Sequence, residues 1–586
     1  ASGKGEDGGD KGKAGMPQSQ IWVIRVDGGE ATQVTSHPHG AGSPAWSPDD
    51  RRLAFVAADD VPQDAATPAP VATGVADERV IHDIKYRADG RGFVERYSHI
   101  WTVDIASGEA RQLTFGDVQD DDPQWSPDGR LIAFVGNRRP DRKLVHARTI
   151  LAVPAAGGEV RALAPDDAVF GNPSWSPDGT RIAFTGHPDA RWGATRNATL
   201  WTAAADGSGA TEHTAGHDLS FGDYGMSDVY ASSDTRPRWL DGDSVVLLAS
   251  TRGATRVYRV TLASGDVMPL TGDRQRVAGV TIAGDRLVCL VGTINRPFEL
   301  VGSDLAGQDA QPVTRFNDAW LEEVDLVDAI ELEVTAPDGQ PIQTWLLPPR
   351  GYDPASPARH PLVVQIHGGP HAMYGYAMFH EMQLFAARGY AVLFCNPRGS
   401  AGYGEAFTGV TRGRWGESDM PDVLAAVDAA TALPWIDSGR LGITGGSYGG
   451  YLTNWIIGHD SRFKAAVTQR CVSNFYSFFG TSDIGYHFGE FEFGGVPWKD
   501  AELLLRHSPI SYVEDMRTPL LILHSEQDLR CPIEQAEQLF TALKYLGREV
   551  AFVRFPEENH DLSRSGTPSR RLARLHHLLG WFDAHL

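Results

Sequence analysis

Apolar and polar positions follow two different rhythms along the chain. From about residue 20 to 320, short apolar-aromatic runs are separated by turns rich in Asp, Gly and Pro. One arrangement recurs, an apolar run, a small turn and a second run ending near Thr. It appears as IWVIRVDGGEATQVT from Ile21, IWTVDIASGEARQLT from Ile100, ILAVPAAGGEVRALA from Ile150 and LWTAAADGSGATEHT from Leu200, with weaker copies from Val257 and Leu300. The starts lie 79, 50, 50, 57 and 43 residues apart. Between them sits a second hairpin turn, WSPDD at Trp46 and WSPDG at Trp125 and Trp175, with degenerate versions at Trp239 (WLDGD) and Gly284 (AGDRL). Asp-Gly after Pro is turn chemistry between paired strands. Two hairpins in each period of about 45–50 residues make four strands per unit, the pattern of a β-propeller blade.

Six outer hairpins accompany only five inner ones, because nothing like WSPDG precedes Ile21. The expectation is an all-β propeller of six to seven four-stranded blades with the first incomplete, unless residues upstream of Ala1 or another segment supply its inner strands, since open strand edges are avoided. The 79-residue interval carries an insertion, roughly residues 59–97, with a Pro/Ala-rich part, VPQDAATPAPVATG. A second long loop covers residues 212–236. Both read as rim loops, where binding residues concentrate.

Near Glu331 the rhythm changes. A hairpin around Asp338-Gly339 is followed by continuous apolar runs, PLVVQIHGGP, YAVLFCNPRGS, KAAVTQR, PLLILHSEQD and EVAFVRFP, that alternate with stretches of helical spacing. Such alternation predicts an α/β fold, a mostly parallel, doubly wound sheet covered on both faces, with chemistry at the C-terminal strand ends. The domain boundaries expected are 1–19 for a flexible Gly- and Lys/Asp-rich segment, 20–325 for the propeller and 326–586 for the α/β domain.

Within the second region, Leu441 to Thr444 runs into Gly445-Gly446-Ser447-Tyr448-Gly449. This G-x-S-x-G pattern is a nucleophile elbow, a sharp strand-to-helix turn that lifts a serine hydroxyl above the sheet edge. A serine needs a base, usually His oriented by a carboxylate. In this architecture the chain order is Ser, Asp, His. Asp528 ends the PLLILHSEQD run 81 residues after Ser447, and His560 follows the last strand run a further 32 on. The oxyanion donors expected are the N–H of Tyr448 and that of Gly369 in the His367-Gly368-Gly369-Pro370 loop. His367, His371 and His380 lack a zinc-binding spacing and are assigned to loop packing, so no metal and no cofactor is expected.

Composition narrows the partners. The net charge of −22 argues against nucleic acid and anionic membrane. Four cysteines without paired spacing read as buried free thiols of a cytoplasmic protein. No apolar run approaches membrane-helix length, and the N-terminus has no apolar leader core.

HGGP, NPRGSAGYGEAF (396–407), GGSYGG, RCVSNFYSFFGTSDIGY (470–486), HSEQDLRCP and ENHDLSRSG resemble the prolyl oligopeptidase family of serine peptidases, with the acylaminoacyl peptidases the branch most resembled. The resemblance implies a propeller seated over the site that admits only short peptides. Prolyl oligopeptidases usually carry Asn after the nucleophile; Tyr448 departs from that and lowers strict proline specificity. Dipeptidyl peptidases of the family carry paired glutamates in the propeller, whereas Glu322-Glu323 follows the last repeat here. The missing first inner hairpin departs from the family's seven blades.

Val472, Phe475, Phe478, Phe479 and Ile484 are candidates for an apolar pocket. Arg530 and Arg470 are candidates to anchor an acyl carbonyl or a C-terminal carboxylate. The expectation is an acylaminoacyl-peptidase-like exopeptidase acting on short peptides, assembled as a homo-oligomer. The alternatives are a carboxypeptidase, a broad oligopeptidase or esterase, and an interaction scaffold with an inert hydrolase.

Overall fold

The computed structural model describes residues 18–60, 79–229 and 232–586. The segment expected to be flexible, 1–19, lies outside the described residues except for its last two, as does the Pro/Ala-rich stretch 61–74.

The repeats fold as antiparallel units laid in series. The first unit pairs Ala41–Trp46, Arg52–Asp60, Arg96–Asp104 and Ala110–Gln112. The second runs from Asp120–Trp125 to Arg161–Ala162 and the third from Ala168–Trp175 to Thr211–Glu212. In the fourth the inner strand is broken, Ser220–Phe221 and Arg238–Trp239 both pairing with Ser244–Thr251. The fifth spans Arg276–Ala283 to Gln311–Pro312 and is joined to the fourth by one parallel pairing, Thr255 to Arg276. Ahead of these, Trp22–Val23 and Thr32–Gln33 form a two-stranded hairpin.

The described residues therefore hold five four-stranded units, a two-stranded hairpin ahead of them where the incomplete first blade was expected, and a second small hairpin, Arg87–Ala88 with Gly92–Phe93, inserted in the first unit; a seventh unit is not among them. The count of inner hairpins sets the number of complete units. Apolar clusters lie between successive units: Ala54 and Ile100 of the first pack with Ile132, Phe134 and Leu151 of the second.

The repeated turn does the same work in each copy. Ser47, Ser126 and Ser176 donate to Asp49, Asp128 and Asp178 at 2.6 Å and accept the N–H that opens the next strand. The preceding tryptophan ties its unit to the one before. Trp125 Nε1–H donates to the Ala45 carbonyl at 3.1 Å, Trp175 to Gln124 at 3.2 Å and Trp239 to Ser174 at 3.0 Å.

The second region builds one eight-stranded sheet. Its strands are β1 (Ile330–Thr335), β2 (Pro341–Leu347), β3 (His360–Ile366), β4 (Ala391–Cys395), β5 (Ile436–Gly446), β6 (Ala465–Gln469), β7 (Leu520–Ser525) and β8 (Val550–Phe555), in the order β1-β2-β4-β3-β5-β6-β7-β8. β2 runs antiparallel to its neighbours and the rest are parallel. Side chains alternate between two apolar layers: Leu362, Val364 and Ile366 join one, Val363 the other. Burial on both faces is why these strands read as unbroken apolar runs.

The two regions interlock through backbone and cap contacts. Met226 N–H donates to Met373 O at 2.9 Å, and Met373 N–H to Tyr224 O at 3.0 Å. Asp228, from the 212–236 loop, accepts the N–H groups of His380 and Glu381 at 2.7 and 2.8 Å, capping helix α1 (His380–Ala387) of the other region.

Candidate active site

β5 ends at Gly446 and helix α2 begins at Tyr448 (Tyr448–His459), so Ser447 is the whole turn. Its φ of 61° and ψ of −122° fall outside the ordinary regions for a side-chain-bearing residue. Such strain costs about 1–3 kcal/mol and persists only where the surroundings enforce it. Two close approaches enforce it here. A Cβ on Gly445 would sit 2.5 Å from Gly449 O, and one on Gly449 would sit 2.2 Å from Ile366 O. Only glycine lets α2 lie this close against β3 and β5.

His560 and Asp528 sit beyond the C-terminal ends of β8 and β7. His560 Nδ1 lies 2.8 Å from Asp528 Oδ2. Asp528 Oδ1 accepts the Cys531 N–H at 2.8 Å, and His524 Nε2 stands 3.6 Å from Oδ2. Burial pushes the Asp528 carboxyl up to about 6. Burial, with Arg470 and Arg564 nearby, holds the His560 imidazole below its ordinary value, which favours the neutral ring a base requires.

Ser447 and His560 line one cavity of about 580 Å³ between the two regions. The Ser447 hydroxyl makes its contact with the Cys531 thiol at 3.9 Å, and no hydrogen bond joins it to His560 among the described residues. Hydrogen bonds of this kind often tighten only when substrate is bound.

The N–H groups of Tyr448 and Gly369 have no protein acceptor among the described residues, and both residues line the cavity. The Gly369 loop is pinned by His367, whose Nε2 is 2.8 Å from Ser400 Oγ and whose Nδ1 is 2.8 Å from Gly368 O. Burial lowers His367 to about 4. His371 bridges Gly399 O and Glu492 at 2.9 and 3.1 Å. Both histidines thus pack loops, and among the described residues no group of three or more His, Cys, Asp or Glu is arranged to hold a metal ion. The four cysteines are buried free thiols. No helix of the described residues is long and apolar enough to cross a membrane.

Of the apolar candidates, Val472, Phe478 and Ile484 line the cavity. Phe475 and Phe479 are not among its lining residues and correct that expectation. Phe475 stacks on Phe493 at 3.7 Å inside the core, and Phe479 packs edge-on to Trp498 at 5.3 Å. On the short helix Phe475–Thr481, Phe475 and Phe478 both pack on Phe493, but only Phe478 reaches the cavity, and Phe479 turns toward Trp498. Phe488, Phe493 and Trp415 complete the apolar wall, with Tyr224 and Met226 from the 212–236 loop. That loop was legible as a rim loop; the first three carried no local signal.

Arg530 lines the cavity but its guanidinium is engaged by Asp483 at 2.8 and 3.2 Å. Arg470 also lines it, half-buried, donating to Ser563 Oγ at 2.8 Å and leaving its buried Nε without a partner. Burial and the neighbouring Arg564 and Arg574 lower it to about 10.

Known proteins resemble this chain along nearly its whole length. The model of the prolyl oligopeptidase family matches residues 376–586. An uncharacterized peptidase, YuxL, of Bacillus subtilis is 40% identical over 589 residues, covering 97% of this chain and 87% of that protein. Dipeptidyl-peptidase 5 of Porphyromonas gingivalis is 27% identical over 59% of this chain and 51% of its own length. A crystal structure of the Pyrococcus horikoshii acylaminoacyl peptidase superposes with a TM-score of 0.82 at 26% identity, covering 97% of this chain and 84% of that one.

Proposed function

Because this chain belongs to the prolyl oligopeptidase family and is a serine-type peptidase, we propose that it cleaves short, N-blocked peptides through an acyl-enzyme on Ser447. His560 Nε2 takes the Ser447 proton as Oγ attacks the scissile carbonyl. Asp528 keeps the proton on Nδ1 and stabilises the imidazolium that forms. The oxyanion is met by the N–H groups of Tyr448 and Gly369. The imidazolium then protonates the departing amine, and water, deprotonated by the same ring, releases the acyl group. The observation that carries this reading is the 2.8 Å His560–Asp528 pair bordering the same cavity as the strained Ser447.

The preference for blocked substrates is supported by charge. Among the described residues lining the cavity the one carboxylate is Asp223, already held by Arg276 at 2.8 Å and by Thr255 at 2.7 Å. Nothing there is left to grip an α-ammonium group, which disfavours dipeptidyl-peptidase action. Val472, Phe478, Ile484, Phe488 and Phe493 suit an apolar side chain at the cleaved position. In this reading residues 20–325 form a propeller-like gating domain and 326–586 the catalytic domain.

The test is a matched set of peptides, free, N-acetylated and C-amidated, alongside an active-site-directed phosphonate. The phosphonate should label Ser447, and kcat/KM should rise at least about tenfold on N-acetylation, a difference of about 1.4 kcal/mol in transition-state binding. Equal rates for free and acetylated peptides would sink the preference. A carboxypeptidase has one observation in its favour, the buried and unpartnered Nε of Arg470; loss of cleavage on C-amidation selects it.

A further inference from the structure

The insertion in the first unit reaches across to the loops that carry Asp528 and His560. Arg87–Ala88 and Gly92–Phe93 form a small hairpin between the strands Arg52–Asp60 and Arg96–Asp104, and Asp89 stands at its turn. The Asp89 N–H donates to Asp483 Oδ2 at 2.8 Å, and Arg87 donates to the Thr481 carbonyl. The Asp89 carboxylate faces the other way, into the loops beyond β7 and β8. Its Oδ1 accepts the Leu529 N–H at 2.8 Å, and its two oxygens receive the His560 N–H at 3.4 and 3.3 Å. Leu529 directly follows Asp528. One carboxylate from the repeat region therefore holds the main chain at His560 and beside Asp528. Neither N–H has another acceptor among the described residues.

We propose that Asp89 is a positioning residue that fixes the spacing of the Asp528 and His560 loops from the opposite region, so that the base is fully organised only while the hairpin is docked. This rests on the roles given above to Ser447, His560 and Asp528. The loops after β7 and β8 are tied directly by the Gln527 N–H to the Glu558 carbonyl at 2.9 Å, and Asp89 adds a second tie further along both, at Leu529 and His560. Displacing a reacting group by about 1 Å can cost about a hundredfold in rate. The carboxylate also adds negative charge next to the imidazole, which favours the imidazolium formed in the transition state.

The charged groups facing His560 are Asp528 at its Nδ1, Asp561 next in the chain, and Asp89. Opposing them are Arg470, Arg530 and Arg564, with His524 behind Asp528. The acid limb of kcat/KM rises as the imidazolium loses its proton. Removing a negative neighbour lowers that group's pKa, so the limb must move to lower pH. Because the pair titrates together, the midpoint belongs to His560 and Asp528 jointly.

Two variants of the full chain separate the contributions. Asp89→Ala removes acceptor and charge, and kcat should fall about ten- to a hundredfold with KM changed by less than about threefold. Asp89→Asn keeps an amide oxygen for the Leu529 N–H but loses the charge. It should retain more of kcat than Asp89→Ala while the acid midpoint still moves down. If Asp89→Ala does not fold, the pH profile of Asp89→Asn decides. A merely structural turn would lower the melting temperature and leave the midpoint in place. Wild-type kcat for Asp89→Ala, or a wild-type acid midpoint for Asp89→Asn, overturns the proposal. Phosphonate labelling keeps the two failures apart. No labelling of the wild type defeats the reading of Ser447 itself, whereas equal labelling rates for wild type and Asp89→Ala defeat only the role of Asp89.

Discussion

The repeat region and the sheet region solve the problem of holding a structure together in opposite ways. In the first, one instruction is issued several times. Each Trp-Ser-Pro-Asp turn closes its own hairpin and ties it to the unit before, through the same serine-to-aspartate and indole-to-carbonyl bonds. No single copy is irreplaceable. In the second, each instruction is issued once. Gly445 and Gly449 admit α2 against β3 at a single place, and Ser447 holds its φ of 61° at that one strand-to-helix turn. Substitutions should therefore be severe in the sheet region and mild among the repeats. Asp89 is the exception that makes the contrast useful, because it lies in the repeat region but interrupts the repeat.

The largest effect falls on the nucleophile. Ser447→Ala should lower kcat/KM by at least about 10⁴-fold, because one member of such a triad cannot be replaced by the others. Its melting temperature should not fall, since alanine keeps the same backbone strain without the hydroxyl. A variant with wild-type turnover would end the account of the site. Gly449→Ala comes next. Its added Cβ would overlap Ile366 O at 2.2 Å and His367 O at 2.8 Å, both main-chain atoms that no rotamer change can move. A loss of about 3 kcal/mol or more is expected from the denaturation midpoint. A midpoint within error of wild type would mean that the close approach is not what holds the elbow.

A smaller effect separates backbone from side chain at one residue. Tyr448 Oη donates to Asp419 Oδ2 at 2.5 Å, deep in the core, while its N–H faces the cavity. Tyr448→Phe strips a donor from a buried carboxylate and should cost about 1–3 kcal/mol, with kcat changed by less than about threefold because the oxyanion donor proposed above is the main chain. The pH dependence has a definite sign. Burial already pushes Asp419 up to about 6. The folded state thus holds a proton that the unfolded chain releases, and this contribution to stability fades as pH rises from about 4 to about 6. Without the tyrosine hydroxyl, which lowers the carboxyl, the fading should extend to higher pH. A drop in kcat as large as the drop in stability would place the side chain, not the N–H, at the reacting atoms.

What could be read from the sequence follows the same divide. The units were legible because they repeat, and even the shortfall of one inner hairpin was visible in the absence of a WSPDG copy before Ile21. The sheet strands were legible because burial on both faces leaves an unbroken apolar run. Ser447, Asp528 and His560 could be singled out as candidates because this architecture carries such residues in one order along the chain. Phe475 and Phe479 misled because closeness in sequence does not reveal which ring reaches a cavity and which stops behind another aromatic, Phe493 for the one and Trp498 for the other. Asp89 left no trace at all. Its partners, Leu529 and His560, are 440 and 471 residues away, and one aspartate in a turn looks like any other.

The mildest prediction tests the repeats themselves. Trp175→Phe keeps the ring buried between units but removes the Nε1–H that reaches the Gln124 carbonyl at 3.2 Å. The carbonyl is only part-buried, so water can replace the lost donor, and the cost should be about 1 kcal/mol with kcat/KM unchanged. Trp46 shows what that position is worth without a neighbour to bond, being 48% exposed where Trp125 and Trp175 are 8% exposed. Trp46→Phe should therefore cost less than Trp175→Phe in the same unfolding measurement. If instead Trp175→Phe lowered kcat as Asp89→Ala is expected to, the docking of the whole repeat region would be coupled to the chemistry. The distinction between a scaffold of interchangeable units and one inserted residue acting on the base would then collapse.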